Sequence, residues 1–229
     1  MFDRIKKAFG RSNDLAGGKP SAAAPSALGP VSQWAASQGW DLRADAGQGM
    51  TLEGQVQGRP WRLQIGPSTR GYIRNHDELR ARAELGLAPG VAVLVINRAL
   101  KDQLERQAYR MYTDSLQTSL DSSMPEEMRW LSIYDEVGWD TLPIEFWKRF
   151  SVLSDRRETA QALLDASLAD SLMHWPQPGP SPEDPMLLLV MNGKAYLRMA
   201  LNPARLPTLQ HASAVFSAAC ERALAAFPG

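Results

Sequence analysis

Cysteine is almost missing from this chain: Cys220 is the one thiol in 229 residues. No disulfide can form within the chain, and a reducing compartment is the simpler expectation. Net charge is missing too, since 25 basic residues balance 25 acidic ones. Bulk electrostatics therefore favours no partner class, and nucleic acid is not expected. No run approaches the roughly 20 apolar residues that a helix needs to cross a bilayer. The basic first residues lack the apolar stretch of a secretory leader. A cytoplasmic protein is expected, peripheral at the inner face of a membrane where it meets one.

Catalytic motifs are equally scarce. G-x-x-x-x-G-K-[ST], G-x-G-x-x-G and G-x-S-x-G do not occur, nor does a D-x-D-x-D-G loop or a Glu-x-x-His pair. His76, His174 and His211 stand singly, without the spacing of a metal pair. Cys220 falls at the edge of an apolar helical stripe, where a cysteine serves as a small core residue. No catalytic residue, metal or cofactor is expected.

What is present is an uneven charge distribution. Residues 1–19 hold Arg4, Lys6, Lys7, Arg11 and Lys19 against Asp3 and Asp14, a net of +3, which leaves the remainder at −3. On a helical wheel Phe2, Ile5 and Phe9 share about a 60° arc, with Lys6 flanking it and Lys7 turned away. That is the pattern of an interfacial helix, so Phe2, Ile5, Lys6, Lys7 and Phe9 are candidate membrane- or partner-docking residues. The competing reading is a frayed end or a segment packed on its own domain. Residues 12–30, SNDLAGGKPSAAAPSALGP, are small, turn-forming or proline and read as a flexible linker spanning about 24 Å. The organisation is thus a basic amphipathic segment (1–11), a linker (12–30) and one domain (31–229), with a subdivision near 120–125 as an alternative.

Within that domain, VSQWAASQGW reads as a short helix. TLEGQVQGRPWRLQIG alternates and reads as a hairpin centred on Gly58-Arg59, setting Val56 opposite Trp61 and Leu52 opposite Ile65. DELRARAELG, with acids first and Gly86 near its end, reads as a short helix. VAVLVI reads as a buried strand and RALKDQLERQAYRMYTDSLQTSL as a long helix. SMPEEMRWLSIYDEVG opens a helix, FWKRFSVL reads as a strand, and RRETAQALLDASLADSLMHW as one amphipathic helix. Asn192-Gly193 between two β-type runs is the strongest local signal, a type I′ hairpin. A last helix over about 206–226 aligns Leu209, Ala212, Phe216, Ala219 and Ala223. Hairpins interspersed with helices give an α+β fold, helices packed on a largely antiparallel sheet, with an N-terminal tail.

Three regions bear on function. Arg59, Arg62, Ser68, Arg70 and Arg74 surround a Gly-Pro-Ser-Thr loop and form a candidate anion-binding set; scattered arginines on a solvated hairpin face are the plainer account. The acids of 112–140 (Asp114, Asp121, Glu126, Glu127, Asp135, Glu136, Asp140) suit general acid–base work or plain helix capping. The row Lys194, Tyr196, Arg198 faces a partner or guards a sheet edge, the edge reading being preferred. Trp61 and Trp130 fit the core, whereas the other five tryptophans mark an interface wherever two cluster on the surface. The chain is expected to be a non-enzymatic binding or accessory protein with a weakly docking N-terminal segment. Its partner would be another protein or a second copy, with weak contact to an anionic membrane. The alternative is a small-molecule enzyme using the acids of 112–140 or the arginines of 59–74.

Overall fold

The structure, a computed structural model, describes residues 25–45, 49–114, 126–202 and 205–229. The candidate docking residues Phe2, Ile5, Lys6, Lys7 and Phe9 lie outside them.

Two apolar faces organise the fold around a single sheet. In chain order the elements are α1 (Pro25–Ser37), β1 (Asp41–Asp45), β2 (Gly49–Val56), β3 (Arg59–Pro67), β4 (Asp77–Glu84), β5 (Ala92–Asn97), α2 (Arg98–Asp114), α3 (Glu126–Ile133), β6 (Asp135–Val137), α4 (Ile144–Arg149), β7 (Phe150–Ser154), α5 (Arg157–Leu163), α6 (Ala166–Met173), β8 (Met186–Met191), β9 (Lys194–Leu201) and α7 (Leu206–Ala226). Nine strands form one sheet in the order β1-β2-β3-β4-β9-β8-β5-β7-β6, every pairing antiparallel. This is an α+β fold. Strands from both sides of residues 120–125 interleave, with β5 bonded to both β7 and β8. Residues 25–30, part of the stretch read as a linker, are helical in α1.

On one face the core gathers Val31 and Ala35 of α1, Phe146 of α4, Leu163 and Leu172 from α5 and α6, and the α7 stripe Leu209, Ala212, Phe216, Ala219 and Ala223. Cys220 is buried there. Among the described residues the helices of the opposite face lie over β8, β5 and β7, where Leu100 and Leu104 of α2 and Met128 of α3 pack on Leu94, Ile96, Leu153, Leu187 and Leu189. Over β2, β3 and most of β4 and β9 no described helix lies on that second face, although Glu78 and Ala200 at one end are buried, Ala200 packing with Tyr72 and Ile73 of the 68–75 loop.

The α7 helix and the β8–β9 hairpin match the sequence pattern, with Asn192 (φ 53°) and Gly193 (φ 73°) in the turn. Elsewhere tertiary context prevails. The stretch read as a helix, DELRARAE, is strand β4: Leu79, Ala81 and Ala83 are buried while Arg80, Arg82 and Glu84 face the other way. Strands on both sides, β3 and β9, complete its backbone hydrogen bonds, which outweighs a modest local helix preference.

The β2–β3 hairpin turns at Gln57-Gly58, both at positive φ, and pairs Val56 with Arg59 and Leu52 with Leu63. The expected register is displaced by two residues. A shift of two leaves every side chain on its face, so the apolar pattern cannot detect it. The long amphipathic helix breaks into α5 and α6 at Leu164-Asp165, where the Asp165 carboxylate accepts from Leu168 N. FWKRFSVL divides into the end of α4 and strand β7.

Gly54 lies opposite Trp61, and a Cβ there would stand 2.7 Å from Trp40 and 2.8 Å from Trp61. Its bare backbone lets Trp34, Trp40 and Trp61 pack edge to face, with centroids 5.0 and 4.7 Å apart. Trp139 and Trp147 form a second such pair, and Trp175 is buried.

Candidate functional site: an arginine-lined trough

Beside α3, the arginine-bearing half of the second face forms a trough of about 1100 Å³ among the described residues. Its floor is built by strand alternation. Glu53, Arg62, Arg82, Tyr196 and Leu189 stand directly opposite one another across β2, β3, β4, β9 and β8, and Gln64, Arg80, Arg198 and Leu187 form the next row. Lys194, Tyr196 and Arg198 therefore do not guard an edge: β9 is interior, bonded to β4 and β8. Trp130 and Ile133 of α3, with Leu187, Leu189 and Met191, make the apolar wall. Trp130, expected in the core, is only half-buried, and Ile133 is 64% exposed.

Two arginine pairs, Arg62/Arg82 and Arg80/Arg198, sit directly opposite each other on neighbouring strands. Like charges in that relation destabilise a sheet unless something offsets them. Three glutamates do so in part, each shared by two cations. Glu53 accepts from Arg62 (2.6 Å) and Arg43 (3.4 Å). Glu84 pairs with Arg82 and with Lys194 (3.6 Å). Glu78, fully buried, pairs with Arg198 and lies 4.0 Å from Arg80, while Thr69 donates to it through N (2.7 Å) and Oγ1 (3.0 Å). Six cations thus share three carboxylates. The Arg80 Nε is buried without a hydrogen-bond acceptor among the described residues.

Hydrogen bonding to Arg82, ahead of the opposing effect of burial, holds the Glu84 carboxyl below its ordinary range. The Arg82 guanidinium, raised by the same bond, lies 5.8 Å from the Tyr196 ring centroid.

At the upper wall Arg70 donates Nε to Glu127 Oε1 at 2.7 Å, and Tyr72 donates its hydroxyl to the same oxygen at 2.9 Å. Burial lowers the Arg70 pKa, but the hydrogen bond and charge of Glu127 more than offset it. Burial, then the Glu127 charge, pushes the Tyr72 hydroxyl far up.

The five residues read as an anion-binding set are dispersed. Arg62 and Arg70 line the trough. Arg59 lies over Gly86. Ser68 Oγ accepts from Arg70 N (3.1 Å) and donates to Arg70 O (3.0 Å), closing the loop on itself. Arg74 donates Nε to Gly71 O at 3.0 Å. Arg70 and Arg74 border a second cleft of about 340 Å³ facing α2.

The described acids of 112–140 do not converge. Glu126 faces Arg129 at 3.9 Å, Glu127 is taken by Arg70, and Glu136 pairs with Arg98 (2.8 Å) and Lys101 (3.3 Å). Asp121 and the Asp114 side chain lie outside the described residues. Arg80, Arg82 and Glu78 escaped sequence reasoning because β4 was read as a helix; the alternation L-R-A-R-A-E-L from Leu79 to Leu85 is the signal that locates them.

No family model matches this chain, and no curated protein matches it in sequence. A solved structure with some likeness is the crystal structure of the mycobacterial trehalose monomycolate transport factor A, TtfA: 11% identity, 86% of this chain and 93% of that one covered, TM-score 0.47. So distant a likeness carries no activity or ligand across.

Proposed function

We propose that this chain is a non-enzymatic accessory protein that takes an acidic segment of a partner protein into the trough. The observation that carries this reading is the two-to-one sharing of cations among Glu53, Glu78 and Glu84 on a stretch of sheet that no described helix covers. Incoming carboxylates would take over the arginine valences that these glutamates divide. The wall supplies the complementary apolar part. Arg, Tyr, Trp and Met, the residues enriched where binding energy concentrates, all meet here as Arg62, Arg82, Tyr196, Trp130 and Met191. An acidic peptide with apolar anchors fits both halves.

Phe2, Ile5, Lys6, Lys7 and Phe9 complete the proposal as a weak tether to an anionic inner membrane face or to the partner. No helix among the described residues is long and apolar enough to cross a membrane. A cytoplasmic, peripheral location follows from this reading.

The test is fluorescence anisotropy with a labelled glutamate-rich peptide carrying leucine anchors, beside its lysine-for-glutamate counterpart. The acidic peptide is expected to bind, and Arg62→Glu with Arg82→Glu to weaken it more than about tenfold. Equal binding of the lysine peptide, or an unaffected charge-reversed variant, overturns the reading.

A further inference from the structure

The floor of the trough constrains the form of any segment bound there. Its strands are all interior: β2 bonds to β1 and β3, β3 to β2 and β4, β4 to β3 and β9, β9 to β4 and β8, and β8 to β9 and β5. The edges of the sheet, β1 and β6, supply none of the described lining residues. A partner segment therefore meets side chains beneath it and no open backbone ladder, so it cannot bind by adding a strand. An extended segment laid there would bury its own N–H and C=O groups without partners, each at a cost comparable to a lost hydrogen bond. A helix satisfies those groups internally.

We propose that the occupant is an acidic amphipathic helix of a partner protein, laid beside α3 in the helical layer of the second face. This rests on the acidic-segment reading and adds to it the conformation of the partner. Helices α2 and α3 form the described part of that layer, over β8, β5 and β7. A helix set about 8–10 Å from α3, the ordinary distance between packed axes, stands about two strands further along the sheet, over the arginine rows. Ile133, the last residue of α3, is 64% exposed and lines the trough with Trp130, so α3 offers an apolar flank to such a neighbour. Arg80 and Arg82 leave one face of β4 two residues apart, about 6.7 Å, close to the roughly 6 Å rise between helical positions i and i+4. Acids at that spacing reach both arginines, while apolar residues on the adjoining face meet Ile133 and Trp130. The volume, about 1100 Å³, accommodates roughly two to three turns of a helix about 10 Å across.

The experiment titrates the full chain into labelled peptides of about 15 residues, the length at which an isolated helix begins to hold. One peptide places glutamate and leucine at helical spacing, a second has the same composition in strict alternation, and a third is the lysine counterpart of the first. The helical peptide is expected to bind at least about tenfold more tightly than its alternating isomer, and to gain helix on binding in the circular dichroism difference spectrum. Ile133→Gln, which keeps a helix former at an exposed position, is expected to weaken the helical peptide about tenfold. Equal binding of the alternating isomer, or binding of the helical peptide without a gain in helix, overturns the inference and leaves the acidic reading in place. An unaffected Ile133→Gln variant overturns it as well, since the helix then lies elsewhere. A lysine peptide that binds as tightly as the glutamate one, or no binding by any of the three, overturns both readings.

Discussion

Arg70 and Glu127 meet at 2.7 Å although 57 positions separate them along the chain. The pair joins the loop after β3 to the first turn of α3, and so fixes the wall of the trough against its floor. Glu127 is 1% exposed and its second oxygen, Oε2, has no hydrogen-bond partner among the described residues. Among the described residues, Arg70 and Tyr72 are the partners of this carboxylate. Arg70→Met is expected to cost about 3 kcal/mol in urea unfolding, because it strands a buried charge. Adding Glu127→Met should restore most of that loss, as the stranded charge is then gone. A single substitution that costs under 0.5 kcal/mol would refute the dependence.

Acid should loosen the opposite edge of the sheet. Burial alone would raise the Glu136 carboxyl, but Arg98 and then Lys101 outweigh it and hold it below its ordinary value. A depressed carboxyl stabilises the fold above its unfolded pKa, near 4.3, and that contribution disappears as pH falls through the folded value. Glu136→Gln is therefore expected to lower stability at pH 7 and to have no effect by about pH 3. Melting curves of both proteins across pH 3–7 check this, the gap narrowing only within the carboxylate range.

The thiol should be inert while the protein is folded. Burial first, and then the charge of Glu221, pushes Cys220 up to about 12, and the side chain sits in the α7 interface with the sheet. The reactive species is the thiolate, which is scarce and enclosed here. Native protein at pH 8 is expected to react with a disulfide reagent at least about a hundredfold more slowly than protein in denaturant. Comparable rates in the two states would place Cys220 at the surface.

The β2–β3 turn carries a correctable mismatch. Gln57 holds φ 49° in a two-residue turn whose second residue is Gly58. Asparagine tolerates that region better, and Asn-Gly is the preferred type I′ pair. Gln57→Asn is expected to stabilise by about 0.5 kcal/mol and Gln57→Val to destabilise by more than 1 kcal/mol. Denaturant midpoints read both, and the reverse order would disprove a turn at this position.

Local chemistry by itself determined much of this protein. Asn192-Gly193 set one hairpin because only residues tolerant of positive φ close a type I′ turn. The apolar spacing of Leu209, Ala212, Phe216, Ala219 and Ala223 set α7, and alternation set both faces of β9. These are contacts between near neighbours in sequence, and they read directly. The tertiary structure decided the rest. Strand β4 exists because β3 and β9 flank it, the hairpin register because Gln57-Gly58 closes where the paired strands meet, and the trough because α2 and α3 cover β5, β7 and β8 while no described helix lies over the arginine rows of β3, β4 and β9. Arg62, Arg70 and Arg74 stood out in the sequence, yet Arg82, Arg106, Glu78 and Glu127 join them only in space. Charges far apart along the chain share a site through folding alone, since Coulomb interaction depends on distance in three dimensions and not on chain order.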